Sequence, residues 1–169
     1  SRIYVLGFSN GGMMAYRFAA ERPNMLAGAA ALAASCGGRA SDKDPVWHVP
    51  TPEKPLPILI MHGMNDADVP FEGGKSPRRG GDRTYWSVEK SVGLWVKADG
   101  CPPEAEEKSL YEGAVRVRSW KPCDADTEVV LYMINGWAHD WPGPYFTSKL
   151  SETHPLKDFD AARIIRDFF

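Results

Sequence analysis

The sequence lacks a basic surplus: 20 Lys and Arg stand against 22 Asp and Glu, giving a formal net charge of -2 and a pI near 6.1. Proteins that hold nucleic acid by neutralising phosphates carry such a surplus, so no nucleic-acid partner is expected. Long apolar runs are missing as well. The greasiest stretch, Met25 to Ala34, is mostly alanine, contains Gly28, and falls well short of the roughly 18 to 20 residues that cross a bilayer. No membrane partner is expected either. The three cysteines, Cys36, Cys101 and Cys123, form neither a zinc-ligand spacing nor a Cys-x-x-Cys pair. No metal and no cofactor are expected. Internal repeats and low-complexity tracts are absent, as is a signal-like apolar segment at the front.

What is present is the composition of a folded domain. Hydrophobic residues make up 43% of the 169 positions and charged ones 25%, which argues against disorder and allows one domain with a sizeable core. Apolar patterning alternates between strand and helix. Arg2 to Gly7 is a short β-branched and aromatic run, followed by a Gly-rich turn and a helical stretch to Arg22 that Pro23 stops. Small residues from Gly28 to Ala34 read as a second strand. Pro57 to His62 is uniformly apolar, as a strand covered on both faces should be. Ser87 caps a helix that presents Val88, Val92, Trp95 and Val96 on one side and ends at Gly100. Val115 to Trp120 and Thr127 to Ile134 are further strands, and Asp158 to Phe169 is a closing helix with Ala161, Ile164, Ile165 and Phe168 on one face. The class is α/β, a parallel sheet with helices on both sides. Glu72 to Tyr85, rich in Gly and basic residues but without phosphate-loop spacing, reads as a solvated surface loop.

The chemistry concentrates at strand ends. Gly7-Phe8-Ser9-Asn10-Gly11 matches Gly-x-Ser-x-Gly, in which a sharp strand-to-helix turn lifts a serine above the sheet. An ordinary Gly-rich turn with Ser9 as helix cap fits the same letters, but the strand just before and the helix just after are what the elbow requires. A serine hydroxyl needs a base, and the base needs an orienting acid. In such folds the chain order is Ser, acid, His, each on a loop after a strand. Residues 62–70 follow the buried strand, and residues 136–143 follow the last one. His62 is still on its strand and is read as a structural histidine closing the turn; His48 and His154 lie among prolines or beside one. His139 remains as the base. Cys101 and Cys123 lie 22 positions apart, a spacing equally compatible with a disulfide from an oxidising compartment and with free thiols.

Gly7 to Tyr16, His62 to Gly74, Ser87 to Cys101 and Ala138 to Gly143 together resemble the extracellular poly(3-hydroxybutyrate) depolymerase and feruloyl esterase family, α/β-hydrolases related to carbohydrate esterases. The resemblance covers most of the chain in order. It implies an α/β-hydrolase fold with Ser9 as nucleophile, His139 as base and Asp66 as acid, with Asp68 as the fallback. The family's His-x-Trp-Pro-Gly falls on His139 to Gly143, which carries Trp141 over as a pocket wall. Trp137 and Tyr145 are added as aromatics beside the base. A Cys101–Cys123 disulfide and secretion are also implied; Cys36 has no assigned partner.

One oxyanion donor in this fold is the backbone N–H after the nucleophile, here Asn10. The family's first strands and second oxyanion loop have no counterpart in residues 1–169, so the expected organisation is a single domain lacking its amino-terminal part, with that part as a missing partner. Three functions follow: a serine esterase acting on a polyester or plant cell-wall ester, a serine peptidase of the same fold, and a catalytically incompetent remnant or binding module.

Overall fold

The computed structural model describes residues 2–80 and 82–169; Ser1 and Gly81, the latter inside the Gly-rich loop, lie outside them. In chain order the elements are β1 (Tyr4–Phe8), α1 (Asn10–Glu21), β2 (Gly28–Leu32), β3 (Gly37–Arg39), β4 (Trp47–His48), β5 (Ile58–Gly63), β6 (Gly74–Lys75), β7 (Thr84–Tyr85), α2 (Val88–Ala98), β8 (Glu106–Leu110), β9 (Val115–Trp120), β10 (Val129–Ile134), α3 (Pro144–Thr147) and α4 (Ala161–Phe168).

Six strands form the main sheet in the order β1-β2-β5-β10-β9-β8. The first four are parallel, and β9 and β8 add an antiparallel flank. The central strands bury both faces by simple alternation. Ala29, Ala31, Ile58, Ile60, Val129 and Leu131 meet α1 and α2, whereas Ala30, Leu32, Leu59, Met61 and Val130 meet Phe159, Ala161 and Ile165 at α4. This is why their sequences are apolar throughout: an inward and an outward side chain both reach a core. Tyr16 of α1 and Trp95 of α2 stack at 5.9 Å over the first face, and the alanines of β2 leave room beneath them.

β8 was not foreseen from the sequence, and its composition explains the omission. Glu106 to Leu110 is exposed at every position, so no apolar periodicity marks it; its pairing with β9 is a matter of backbone hydrogen bonds. At the other edge, Leu6 of β1 and Ile3 just before it are 53% and 57% exposed. Ser87 caps α2 by accepting from the Lys90 amide, and Asp160 caps α4 by accepting from Ala162 and Arg163. No helix among the described residues is long and apolar enough to cross a membrane.

A second, four-stranded antiparallel sheet, β4-β3-β7-β6, stands above the carboxyl ends of the parallel strands. It contains the segment that the sequence pattern presents as a solvated loop. Backbone pairing of Lys75 with Thr84, and of Arg39 with Thr84 across the next strand, brings the two ends of that segment, β6 and β7, into a wall, while residues 77–80 between them stay exposed as a surface loop.

Candidate active site

Ser9 sits where β1 turns into α1, with φ 55° and ψ -122°, a strained region for a residue with a β-carbon that costs of order 1–3 kcal/mol. The surroundings enforce it. Its amide donates to the Leu32 carbonyl at 2.9 Å, while its own carbonyl accepts the first helical bond from Met13. A β-carbon on Gly7 would lie 2.1 Å from the Gly11 carbonyl oxygen, so only glycine permits so sharp a reversal. Ser9 makes no side-chain capping bond to the helix. Its hydroxyl is therefore not spent on the helix end, and it points instead to His139, whose Nε2 lies 2.8 Å away.

His139 reaches that position through the loop after β10. A β-carbon on Gly63 would come within 2.3 Å of the Trp137 carbonyl oxygen, and the Asn65 amide donates to that same carbonyl at 3.0 Å. The glycine lets the histidine loop lie directly on the end of β5. The Phe8 ring, 4.9 Å from the imidazole, packs beside it.

The acid comes from the turn after β5. Asp66 Oδ1 accepts from the Asp68 and Val69 amides at 2.9 and 2.8 Å, and Oδ2 accepts from His139 Nδ1 at 2.7 Å. His62 Nε2 donates to the Val69 carbonyl at 2.9 Å and approaches Asp66 Oδ2 at 3.4 Å. A carbonyl only accepts, so His62 carries its proton on Nε2 and closes this turn as a structural residue. Burial favours the neutral acid, but the bonds from His139, His62 and Val69 outweigh it and hold the Asp66 carboxyl well below the usual carboxylate range. With Asp66 ionised, the network assigns the His139 proton to Nδ1 and leaves the Nε2 lone pair facing the Ser9 hydroxyl.

Asp68 is otherwise engaged. Its carboxylate pairs with Arg79 at 3.0 Å and lies 3.9 Å from Arg78, which separates the two aspartates that spacing alone left as alternatives. Asp66, Asp68 and His139 present ligand-type atoms within 4.8 Å of one another. Two of these atoms, His139 Nδ1 and Asp66 Oδ2, are committed to each other, an arrangement suited to moving a proton rather than to holding an ion.

A cavity of about 490 Å³ opens beside Ser9 and Asn10. It is walled by Met13, Trp47 and Tyr85 on its apolar parts and by Arg39, Arg79 and Arg83 on its polar parts. The rings of Trp137, Trp141 and Tyr145, expected beside the base, do not line this cavity. Trp137 and Trp141 pack into the opposite core around Phe159, the Trp137 indole donating to the Asp140 carbonyl and Trp141 meeting Phe8 edge-on. Tyr145 is 73% exposed under the Lys149 ammonium. Proximity to His139 in sequence does not place these rings in the cavity. The rings that do line it, Trp47 and Tyr85, are brought there by the second sheet; the aromatic cluster Tyr85-Trp86 at the end of the Gly-rich segment was the available signal.

Asn10 opens α1, so its backbone N–H belongs to the unbonded first turn and to the positive end of the helix. Farther away, Cys101 and Cys123 form a disulfide with α-carbons 4.1 Å apart, tying the end of α2 to the entry of β10. Cys36 is buried, and burial pushes its thiol up to about 12 against hydrogen bonds with Trp95 and Ser91; at that value it is inert.

Residues 1–79 match the family model described as Phospholipase/Carboxylesterase. Over 160 residues, 85% of the chain, it is 30% identical to "Putative esterase NocK" of Nocardia uniformis subsp. tsuyamanensis, covering 43% of that protein. It is 28% identical to Feruloyl esterase B of Piromyces equi over 82% of the chain and 25% of that protein. It is 27% identical to Bifunctional acetylxylan esterase/xylanase XynS20E of Neocallimastix patriciarum over 82% of the chain and 18% of that protein. The chain thus spans less than half the length of these curated relatives. With the strand order and flanking helices described above, its fold is that of an α/β-hydrolase.

Proposed function

We propose that the protein is a carboxylic-ester hydrolase that works through Ser9, His139 and Asp66. The observation that carries this reading is the continuous relay from the Ser9 hydroxyl to His139 Nε2 at 2.8 Å and from His139 Nδ1 to Asp66 at 2.7 Å, at an elbow that leaves the hydroxyl free. Ser9 Oγ attacks the ester carbonyl carbon while its proton passes to His139 Nε2. The resulting oxyanion faces the Asn10 amide. Collapse breaks the bond to the alcohol oxygen, which takes the proton from His139, and leaves an acyl group on Ser9. Water then repeats the sequence and releases the acid. Asp66 stays ionised throughout and stabilises the imidazolium that forms in each half.

Esters are favoured over amides by the esterase names of the relatives, and the feruloyl and acetylxylan esterases among them support a plant cell-wall ester as the substrate class, whereas a polyester rests on the motif resemblance alone. The Cys101–Cys123 disulfide supports an oxidising, extracellular setting. The test is hydrolysis of short 4-nitrophenyl esters by the full-length protein and by Ser9→Ala. Turnover should fall by about 10⁴-fold or more in the variant; comparable turnover would mean a different nucleophile.

A further inference from the structure

We propose that Arg39 and Arg83 form an anion subsite beside Ser9, so that the preferred ester carries an ionised carboxylate or phosphate on its non-reacting part. This rests on the esterase reading for its chemistry but on separate residues for its geometry. Arg39, Arg79 and Arg83 line one cavity with the nucleophile. Arg79 is partly neutralised: its guanidinium pairs with Asp68 at 3.0 Å and stands 3.5 Å from His139 Nε2. The nearby Asp82 carboxylate is likewise occupied, by Lys75 at 2.6 Å. Among the described residues neither the Arg39 nor the Arg83 side chain has an ion-pair or hydrogen-bond partner. Two unpaired guanidinium groups in a concave site offer the planar donor forks that bind oxyanions in two-point fashion.

The remaining walls define the rest of the ligand. Met13 and Trp47 continue from this cavity into an adjoining one of about 180 Å³, lined further by Met14 and Val49. A substrate with an apolar or aromatic body and a charged end would lay the body over Met13 and Trp47 and the charge against Arg39 and Arg83. Both arginines come from the second sheet or its edge, Arg39 from β3 and Arg83 just before β7. The appended sheet therefore selects the ester, while the main sheet supplies the nucleophile.

Two matched ester pairs test this in the full-length protein: mono-4-nitrophenyl glutarate against 4-nitrophenyl pentanoate, with the charge on the acyl side, and 4-acetoxybenzoate against phenyl acetate, with the charge on the alcohol side. In at least one pair the charged member should be favoured about tenfold in kcat/KM, the effect of a charge-assisted hydrogen bond. The Arg39→Gln/Arg83→Gln double variant should lower that ratio about tenfold, each single variant part-way. Lys97→Gln, which removes a charge from the far end of α2, should leave the ratio as it was. Calorimetry with Ser9→Ala supplies the arm that needs no turnover: benzoate or phenyl phosphate should bind more tightly than benzamide and lose that advantage when both arginines are replaced. Ratios near one in both pairs together with equal binding of benzoate, phenyl phosphate and benzamide would overturn the subsite and leave the esterase reading intact. Undiminished hydrolysis by Ser9→Ala would overturn Ser9 as the nucleophile, and the calorimetric arm would still decide the subsite.

Discussion

The relay and the cavity wall that faces it are built from different materials. Ser9, Asp66 and His139 hang from the ends of β1, β5 and β10; β5 and β10 are six residues long and almost wholly buried. The facing wall is made of β3, β4, β6 and β7, two or three residues each, carrying Arg39, Lys75 and Trp47 and joined by exposed loops. Displacing a long buried strand would uncover apolar surface on two faces at about 25 cal/mol per Å². Displacing a two-residue strand breaks a few backbone bonds near solvent. The acid and the base therefore stand on the stiff region, the nucleophile sits at the turn after the half-exposed edge strand β1, and the groups that meet the rest of the substrate stand on the adaptable wall, so substitutions in these regions should have different signatures.

The largest effect belongs to the stiff side. Asp66→Asn replaces an acceptor of the His139 Nδ1 proton with a side chain that can offer its own N–H, which favours the wrong imidazole tautomer. Turnover should drop by about 10⁴-fold with little change in KM, as measured by initial rates on a 4-nitrophenyl ester; a drop below tenfold would mean that the relay ends at His139. Next in size, replacing both Cys101 and Cys123 by alanine opens a loop of 22 residues and should lower the unfolding free energy by roughly 3 kcal/mol. Urea denaturation checks it, and an unchanged midpoint would show that the end of α2 is held by packing alone.

Asp99 offers a third contrast within the stiff region. It is fully buried at the end of α2, and burial pushes its carboxyl up to about 7, the Asp124 charge adding to the effect and the Leu56 backbone opposing it. Because the folded pKa exceeds the unfolded value of 3.8, the native state binds the extra proton between these values. Stability from this group is complete below about pH 4, erodes as pH rises towards 7 and stays lost above it. Asp99→Asn should therefore stabilise the protein at pH 8 by a few kcal/mol relative to its effect at pH 4. Equal effects at the two pH values in thermal melts would place the Asp99 carboxyl in the ordinary range. The smallest effect is expected from the adaptable side: Trp47→Ala should raise KM for an aromatic ester about tenfold while leaving kcat and the melting temperature nearly unchanged. A collapse of kcat would mean that the wall also positions the relay.

The same division governs what the sequence discloses. β5, β10 and the elbow were legible because burial on two faces forces an uninterrupted apolar run and because Gly7 has no sterically allowed substitute. The two-residue strands β6 and β7 at the ends of the Gly-rich loop were not, since the Gly and Arg that flank a cavity wall are the same residues that fill a solvated loop, and strands of two residues have no period to detect. Asp66 and Asp68 differ by two positions; Arg79, 11 positions beyond Asp68, separates their roles, and only the folded chain brings it there. Trp137 and Trp141 show the converse. They neighbour His139 in sequence, yet the loop turns them to the α4 side, where Phe159 and the apolar face of α4 form a core that accepts them.

Ser9 is the residue expected to become covalently acylated, and peptide mass spectrometry of the full-length protein after reaction with a fluorophosphonate probe tests this. A single adduct on the peptide containing Ser9, lost in Ser9→Ala and strongly slowed in His139→Ala, is the predicted result. An adduct on another residue would mean a different nucleophile, and labelling at Ser9 whose rate does not depend on His139 would mean that His139 is not its base.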